Sequence, residues 1–416
     1  MVARWRPIRL LAGVLLFAAC QDAAAPTPPT RAADVLRTPL VAQPATQDYI
    51  VVLRDTERDV VGTSTRLAAL EGTGVKVHWE HALKGFLVKL TPGAAAAMAR
   101  APEVTLIEPD SRVTMTATQA PTPSWGLDRI DQRLGLDHSY TYNNTGAGVD
   151  AYIFDTGILW NHTEFVGRVG NGYSAFADNI GTSDCNGHGS HVAGIVGGTT
   201  YGVAKQVTLH PVRVLDCFGI GFASSVISGI NWMITDATAP AVANMSLAGV
   251  ANPVLDQAVA NAVAAGIVLV VSSPNANADA CFYSPARAAS AITVNASDNL
   301  DNQLPYSGYG TCTDLFAPGA SITSAYIGGR SAFAVATGTS QAAPHVAGAV
   351  ALYLSANPGA TTAQVAQALV GNATPNRIFN AGLGSPNRLL YMGFIGVAVL
   401  PPAPTAQRIA FTSWQN

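Results

Sequence analysis

TGTSQAAPHVAGAVALYL, from Thr337 to Leu354, contains four letters that also stand in NGHGSHVAGIVGG, from Asn186 to Gly198. Each stretch is a Gly-containing corner that runs into a helix of small residues, and each corner ends beside a residue able to do chemistry, Ser340 in one and His188 in the other. Around them lie the apolar runs DAYIFD (150–155), VTLHPVRVL (207–215), VANMSL (242–247), GIVLVV (266–271) and AITVNAS (291–297), with helical segments such as Val254 to Ala265 between. Nearly continuous apolar strands alternating with helices of this length predict an α/β fold, a mainly parallel sheet with helices on both faces. In such a fold reacting groups collect at the carboxyl ends of strands and the amino ends of the helices that follow. The two HVAG copies then mark two helices thin enough to be buried in the sheet's cover. Asp155, at the end of AYIFD and before Thr156-Gly157, supplies a third group at a corner of the same kind.

Asp155, His188 and Ser340, in that chain order, are the parts of a nucleophilic triad. A serine hydroxyl is a poor nucleophile by itself; a histidine takes its proton, and a carboxylate holds the imidazole in the right tautomer and stabilises its charged form. Taken singly each residue has a plainer explanation, a serine near a helix start being an ordinary cap. Together, DTG, GHGSHVAG and GTSQAAPHVAG resemble the motifs of the subtilisin-like serine peptidases, in the branch of proteinase K and aqualysin, over Trp125 to Tyr391. The resemblance implies an endopeptidase of broad specificity that works through an acyl-enzyme on polypeptide substrates. It implies Asn275, in PNANADAC, as an oxyanion donor beside the backbone N–H of Ser340. It places an extended peptide between Ser246-Leu247-Ala248-Gly249 and, opposite, Gly219-Ile220-Gly221-Phe222. His191 and His345 become helix residues packed beneath the site.

The same resemblance implies no organic cofactor and structural calcium, whose hard oxygen ligands would be the carbonyls of Ala289 and Ala291 with Asp314, and in a second site Asp128, Asp131 and Gln132. Scattered surface carboxylates are the plainer reading of these. The chain departs from the family at Pro274, where Gly precedes the oxyanion Asn, at Ala248, where the first Gly of Ser-Leu-Gly-Gly stands, and at Gln341, which replaces Met. Pro fixes φ near about −65° and lacks an N–H, so Pro274 predicts a displaced Asn275 and slowed turnover. Two other functions stay open: a degenerate member that binds peptides without cutting them, and metal-assisted hydrolysis on Asp155, His188 and His191, which would leave GTSQAAP idle.

The rest of the chain frames this unit. Arg4, Arg6 and Arg9, an apolar run from Leu10 to Phe17 and Ala18-Ala19-Cys20 form an export signal over residues 1–20. It resembles a lipoprotein signal, with Cys20 as the acylated residue, and a plain secretory signal is the alternative; the location is secreted or cell envelope. An Ala/Pro/Thr-rich tether follows over 21–46. Residues 47–116, with strand-like YIVVL (49–53), FLVKL (86–90) and VTLIE (104–108), predict a small α+β unit. It resembles the ferredoxin-like inhibitory propeptide of these peptidases, released by a cut near Met115 to Ala120; a permanent ligand-binding module is the alternative. The peptidase domain is expected over 117–391, and residues 392–416 as a linker or a truncated extension.

Export gives the remaining cysteines, Cys185, Cys217, Cys281 and Cys312, an oxidising compartment. Of three connectivities the sequence-local pairs, Cys185 with Cys217 and Cys281 with Cys312, are preferred, each worth about 3 kcal/mol in the chain-entropy model. A four-thiolate metal site lacks Cys-x-x-Cys spacing. Charged residues make up 12% of the 416, with a net charge of −3, against about 25% in ordinary soluble chains. No basic run follows the first ten residues, which excludes a nucleic-acid partner. A monomer is expected.

Overall fold

The computed structural model describes residues 46–110, 117–238 and 240–396; the export signal, Cys20, most of the tether, Met115, Thr116 and the tail beyond 396 lie outside the described residues. Two compact units divide between Asp110 and Ser111.

The first unit runs β1 (Gln47–Leu53), α1 (Val60–Leu70), β2 (Val75–Trp79), β3 (Gly85–Leu90), α2 (Pro92–Met98) and β4 (Val104–Pro109). Its antiparallel sheet has the order β2–β3–β1–β4, the ferredoxin-like arrangement. Alternation along β1 turns Tyr49, Val51 and Leu53 toward Leu67, Ala68 and Met98 of the helices. Asp59 caps α1 by accepting from Gly62 N–H, and Thr91 caps α2, with Pro92 in the first turn. β2 was not read from the sequence: Val75, Val77 and Trp79 alternate along it, but the strand is five residues long and none of them is fully buried.

The second unit contains β5 (Asp150–Asp155), α3 (His188–Gly197), β6 (Thr208–Arg213), α4 (Ala223–Asp236), β7 (Ala241–Met245), α5 (Pro253–Ala264), β8 (Val268–Ser272), β9 (Ile292–Ser297), β10 (Leu315–Pro318) and α6 (Thr339–Ala356). Its parallel core has the order β10–β9–β8–β7–β5–β6, with short strands at both edges. Successive residues of one strand bury opposite faces. Ala151 and Ile153 meet Val192 and Val196 of α3 and Ala343, Val346 and Ala347 of α6. Tyr152 and Phe154 meet Val226, Ile230 and Met233 of α4 and Leu255 and Val259 of α5. Burial on both faces is why these strands read as nearly continuous apolar runs.

The HVAG helices α3 and α6 pack on each other, and a glycine in each lets a segment outside both helices come close. A Cβ on Gly194 would lie 2.2 Å from Ser324 Oγ, and one on Gly348 would lie 2.5 Å from the Val203 Cβ. After β6 the chain crosses β5 to form β7 on its other side. The carboxyl ends of β5 and β7 therefore flank the point where strand order reverses, the place where open α/β sheets leave a crevice.

Candidate active site

Asp155 closes β5, and its carboxylate is fully buried. Its two oxygens stand 2.7 and 2.9 Å from His188 Nδ1, while Oδ1 also accepts from Thr156 N–H at 2.8 Å. With Nδ1 donating to a carboxylate, Nε2 is left as the acceptor of the neutral ring. His188 opens α3, and its side chain is 31% exposed. Burial pushes the imidazole down, but the charge and hydrogen bond of Asp155 and then the charge of Asp184 outweigh it, and the group sits above its ordinary value.

Ser340 occupies the first turn of α6, whose N–H groups have no intrahelical acceptor. Pro344, one turn on, lacks the N–H that would bond the Ser340 carbonyl. That carbonyl instead accepts from Ser246 Oγ at 2.9 Å, and Ser246 Oγ accepts from Asn244 Nδ2 at 2.9 Å. The helix that carries Ser340 is thus tied to the end of β7. The Ser340 hydroxyl makes a long contact, 3.4 Å, to the Ser246 carbonyl.

Asn275 lies just beyond β8. Its Oδ1 accepts from Thr339 N–H at 3.0 Å and lies 3.0 Å from Thr339 Oγ1, whose proton goes to the Ser273 carbonyl at 2.6 Å. The backbone donor fixes the amide orientation and turns Nδ2 outward as a donor. This seating coexists with Pro274, which is buried and whose carbonyl accepts from Gly308 N–H at 2.7 Å.

A cleft of about 630 Å³ is lined by His188, by Gly219, Ile220, Gly221 and Phe222 on one side, and by Ser246, Leu247, Ala248 and Gly249 on the other. All eight residues expected to hold a peptide therefore border one crevice with the imidazole. Cys185 pairs with Cys217 and Cys281 with Cys312. The first bridge joins the turn before His188 to the segment before Gly219, where Asn186 Nδ2 also donates to the Cys217 carbonyl.

The chain matches the model of the subtilase family over residues 146–389 and that of the peptidase inhibitor I9 family over 48–116. It is a subtilase. It is 48% identical to the extracellular serine proteinase of Thermus sp. strain Rt41A over 92% of this chain and 98% of that one. It is 41% identical to the subtilisin-like serine protease Pen c 1 of Penicillium citrinum, over 83% and 90%. A crystal structure of a cold adapted subtilisin-like serine proteinase matches with 47% identity and a TM-score of 0.64, covering 66% of this subtilase and 99% of the solved chain.

His191 and His345 lie beneath the site, both 1% exposed. His191 Nε2 faces the carbonyls of Ile322 and Ala334, and His345 Nδ1 donates to Gln341 O. Burial is the main cause that pushes both down to about 4. His191 Nε2 is engaged by these carbonyls, and among the described residues no group of three His, Cys, Asp or Glu side chains converges as a metal site would. In the second expected calcium set, Asp128 accepts from Gln132 Nε2 and the N–H groups of Asp137 and His138. Asp131 keeps one buried oxygen without a partner, and burial above all pushes its carboxyl up to about 7.

Sequence reading missed Asp184. Its carboxylate accepts from Thr156 Oγ1, Asn186 N–H, Gly187 N–H and Ser190 N–H, all at 2.8 or 2.9 Å. An Asp just ahead of a helix start was the available signal.

Proposed function

We propose that in this serine endopeptidase Asp155, His188 and Ser340 are the catalytic triad, Asn275 Nδ2 and Ser340 N–H the oxyanion donors, and the two cleft walls the peptide-binding strands. The observation that carries the reading is the doubly held His188 Nδ1 on buried Asp155, at the cleft that Ser246 shares. Ser340 Oγ attacks the scissile carbonyl carbon while its proton passes to His188 Nε2, and negative charge forms on the carbonyl oxygen between the two donors. The intermediate collapses, the C–N bond breaks, and the amine leaves with the proton from His188. Water then repeats the sequence on the acyl-enzyme.

The I9 unit fits the role of an intramolecular inhibitor, removed by a self-made cut near Met115 to Ala120, and the enzyme is exported as a monomer, with Cys20 acylated before processing. A calcium ion held by the Ala289 and Ala291 carbonyls and Asp314 suits the donor chemistry: burial pushes the Asp314 carboxyl up, and a hard cation would relieve it. Incubation with casein tests the central claim. The wild type digests it and Ser340→Ala neither digests it nor processes itself; undiminished activity in Ser340→Ala removes the triad. A serine-directed phosphonylating reagent abolishes activity on the same reading. Inert wild-type protein that still binds peptide would favour a degenerate member.

A further inference from the structure

We propose that Asp184 is a positioning residue for the hydrolysis, holding the amino end of α3 in place and supplying a negative charge that offsets the helix dipole against His188. The proposal rests on the triad reading above. His188 stands at the first position of α3, where the helix end carries about half a positive charge. That field opposes the imidazolium formed each time Ser340 gives up its proton. A carboxylate at the same end reverses the local sign, and Asp184, only 7% exposed, is placed there by four hydrogen bonds.

The bonds also assign it a geometric part. Gly187, before His188, has φ +106°, and a Cβ there would strike the Tyr326 ring at 2.4 Å, so no side chain at that position can cap the helix. Asp184 caps it from three residues upstream. Oδ2 takes the Ser190 N–H, Oδ1 takes the Gly187 N–H, and the Thr156 hydroxyl that donates to Oδ1 accepts from Gly189 N–H at 3.0 Å. Thr156 is the residue after Asp155, so this chain of bonds fixes the spacing between the carboxylate that orients the imidazole and the helix that carries it. Among the described residues, the charged groups acting on His188 are Asp155 on β5 and Asp184, and His188 in turn disfavours the charged form of His191, one turn along α3.

The test is the pH profile of kcat/KM on one soluble peptide, for wild type, Asp184→Asn and Asp184→Glu. Loss of the charge makes His188 easier to deprotonate, so the acid limb of Asp184→Asn moves down by about half a pH unit and kcat falls roughly fivefold with KM nearly unchanged. Asp184→Glu keeps the charge and returns the limb toward wild type. A limb that does not move in Asp184→Asn overturns the electrostatic part. If Asp184→Asn does not mature, unprocessed Ser340→Ala and Ser340→Ala/Asp184→Asn chains are compared by imidazole NMR titration, where equal His188 midpoints overturn it. Thr156→Val tests the geometric part: kcat drops and the acid limb stays, whereas unchanged kcat refutes the relay. His188→Ala separates the two readings, because abolished activity there with an unmoved limb in Asp184→Asn leaves the triad standing and removes Asp184 alone.

Discussion

Replacing Pro274 by Gly restores the residue that the family carries before its oxyanion Asn, and on sequence grounds it should raise the rate. The geometry gives the opposite expectation. Asn275 Oδ1 is held by the Thr339 N–H, and Gly is expected to leave that bond and the rate unchanged. The Pro ring is buried against Gly308, where an added Cβ would lie 2.7 Å from Pro274 Cδ. Losing three buried ring methylenes costs about 2.4 kcal/mol at roughly 0.8 each. Freeing the unfolded chain at that position adds about 0.4–1 kcal/mol. The sum, about 3 kcal/mol, corresponds to a fall of roughly 6–12 °C in Tm for a domain of this size. The assay pairs kcat on a soluble peptide with thermal unfolding of the phosphonylated enzyme, which prevents self-digestion. The expected result is kcat within about twofold of wild type, since tenfold would need about 1.4 kcal/mol of transition-state stabilisation, together with the lowered Tm. A tenfold rise in kcat with unchanged Tm refutes the reasoning.

The buried His191 and His345, both held down to about 4, bind fewer protons folded than unfolded, so their contribution to stability is complete above about pH 6.5 and is lost as pH falls toward 4. Unfolding by denaturant between pH 7 and 4 should show this loss, and His345→Gln should flatten the slope; an identical slope would remove the assignment. Gln341 has no sulfur to oxidise, so activity should survive mild peroxide while Gln341→Met becomes sensitive; equal loss in both forms sinks the idea. Chelation of calcium should lower Tm in wild type and leave Asp314→Asn unaffected, and a full response in Asp314→Asn would place the ion elsewhere.

Local pattern by itself determined most of this fold. Each core strand of the second unit except β10 announces itself as a mainly apolar run, because burial on both faces favours apolar side chains, although Asn244, Thr293 and Asn295 are buried there too. Asp155, His188 and Ser340 were legible because each sits at a corner whose glycines and small residues are neighbours in sequence. Tertiary structure decided what depends on residues far apart in the chain. The Thr339 N–H set the orientation of Asn275, and with it the fate of Pro274. The Ile322 and Ala334 carbonyls turned His191 away from a metal role. Pro344 freed a carbonyl for a partner, Ser246, that is 94 residues away. Asp184 gained its part only when β5 brought Thr156 to it. Periodicity and corner glycines are properties of a few consecutive residues, whereas a hydrogen bond between side chains tens of residues apart exists only after the sheet has closed around them.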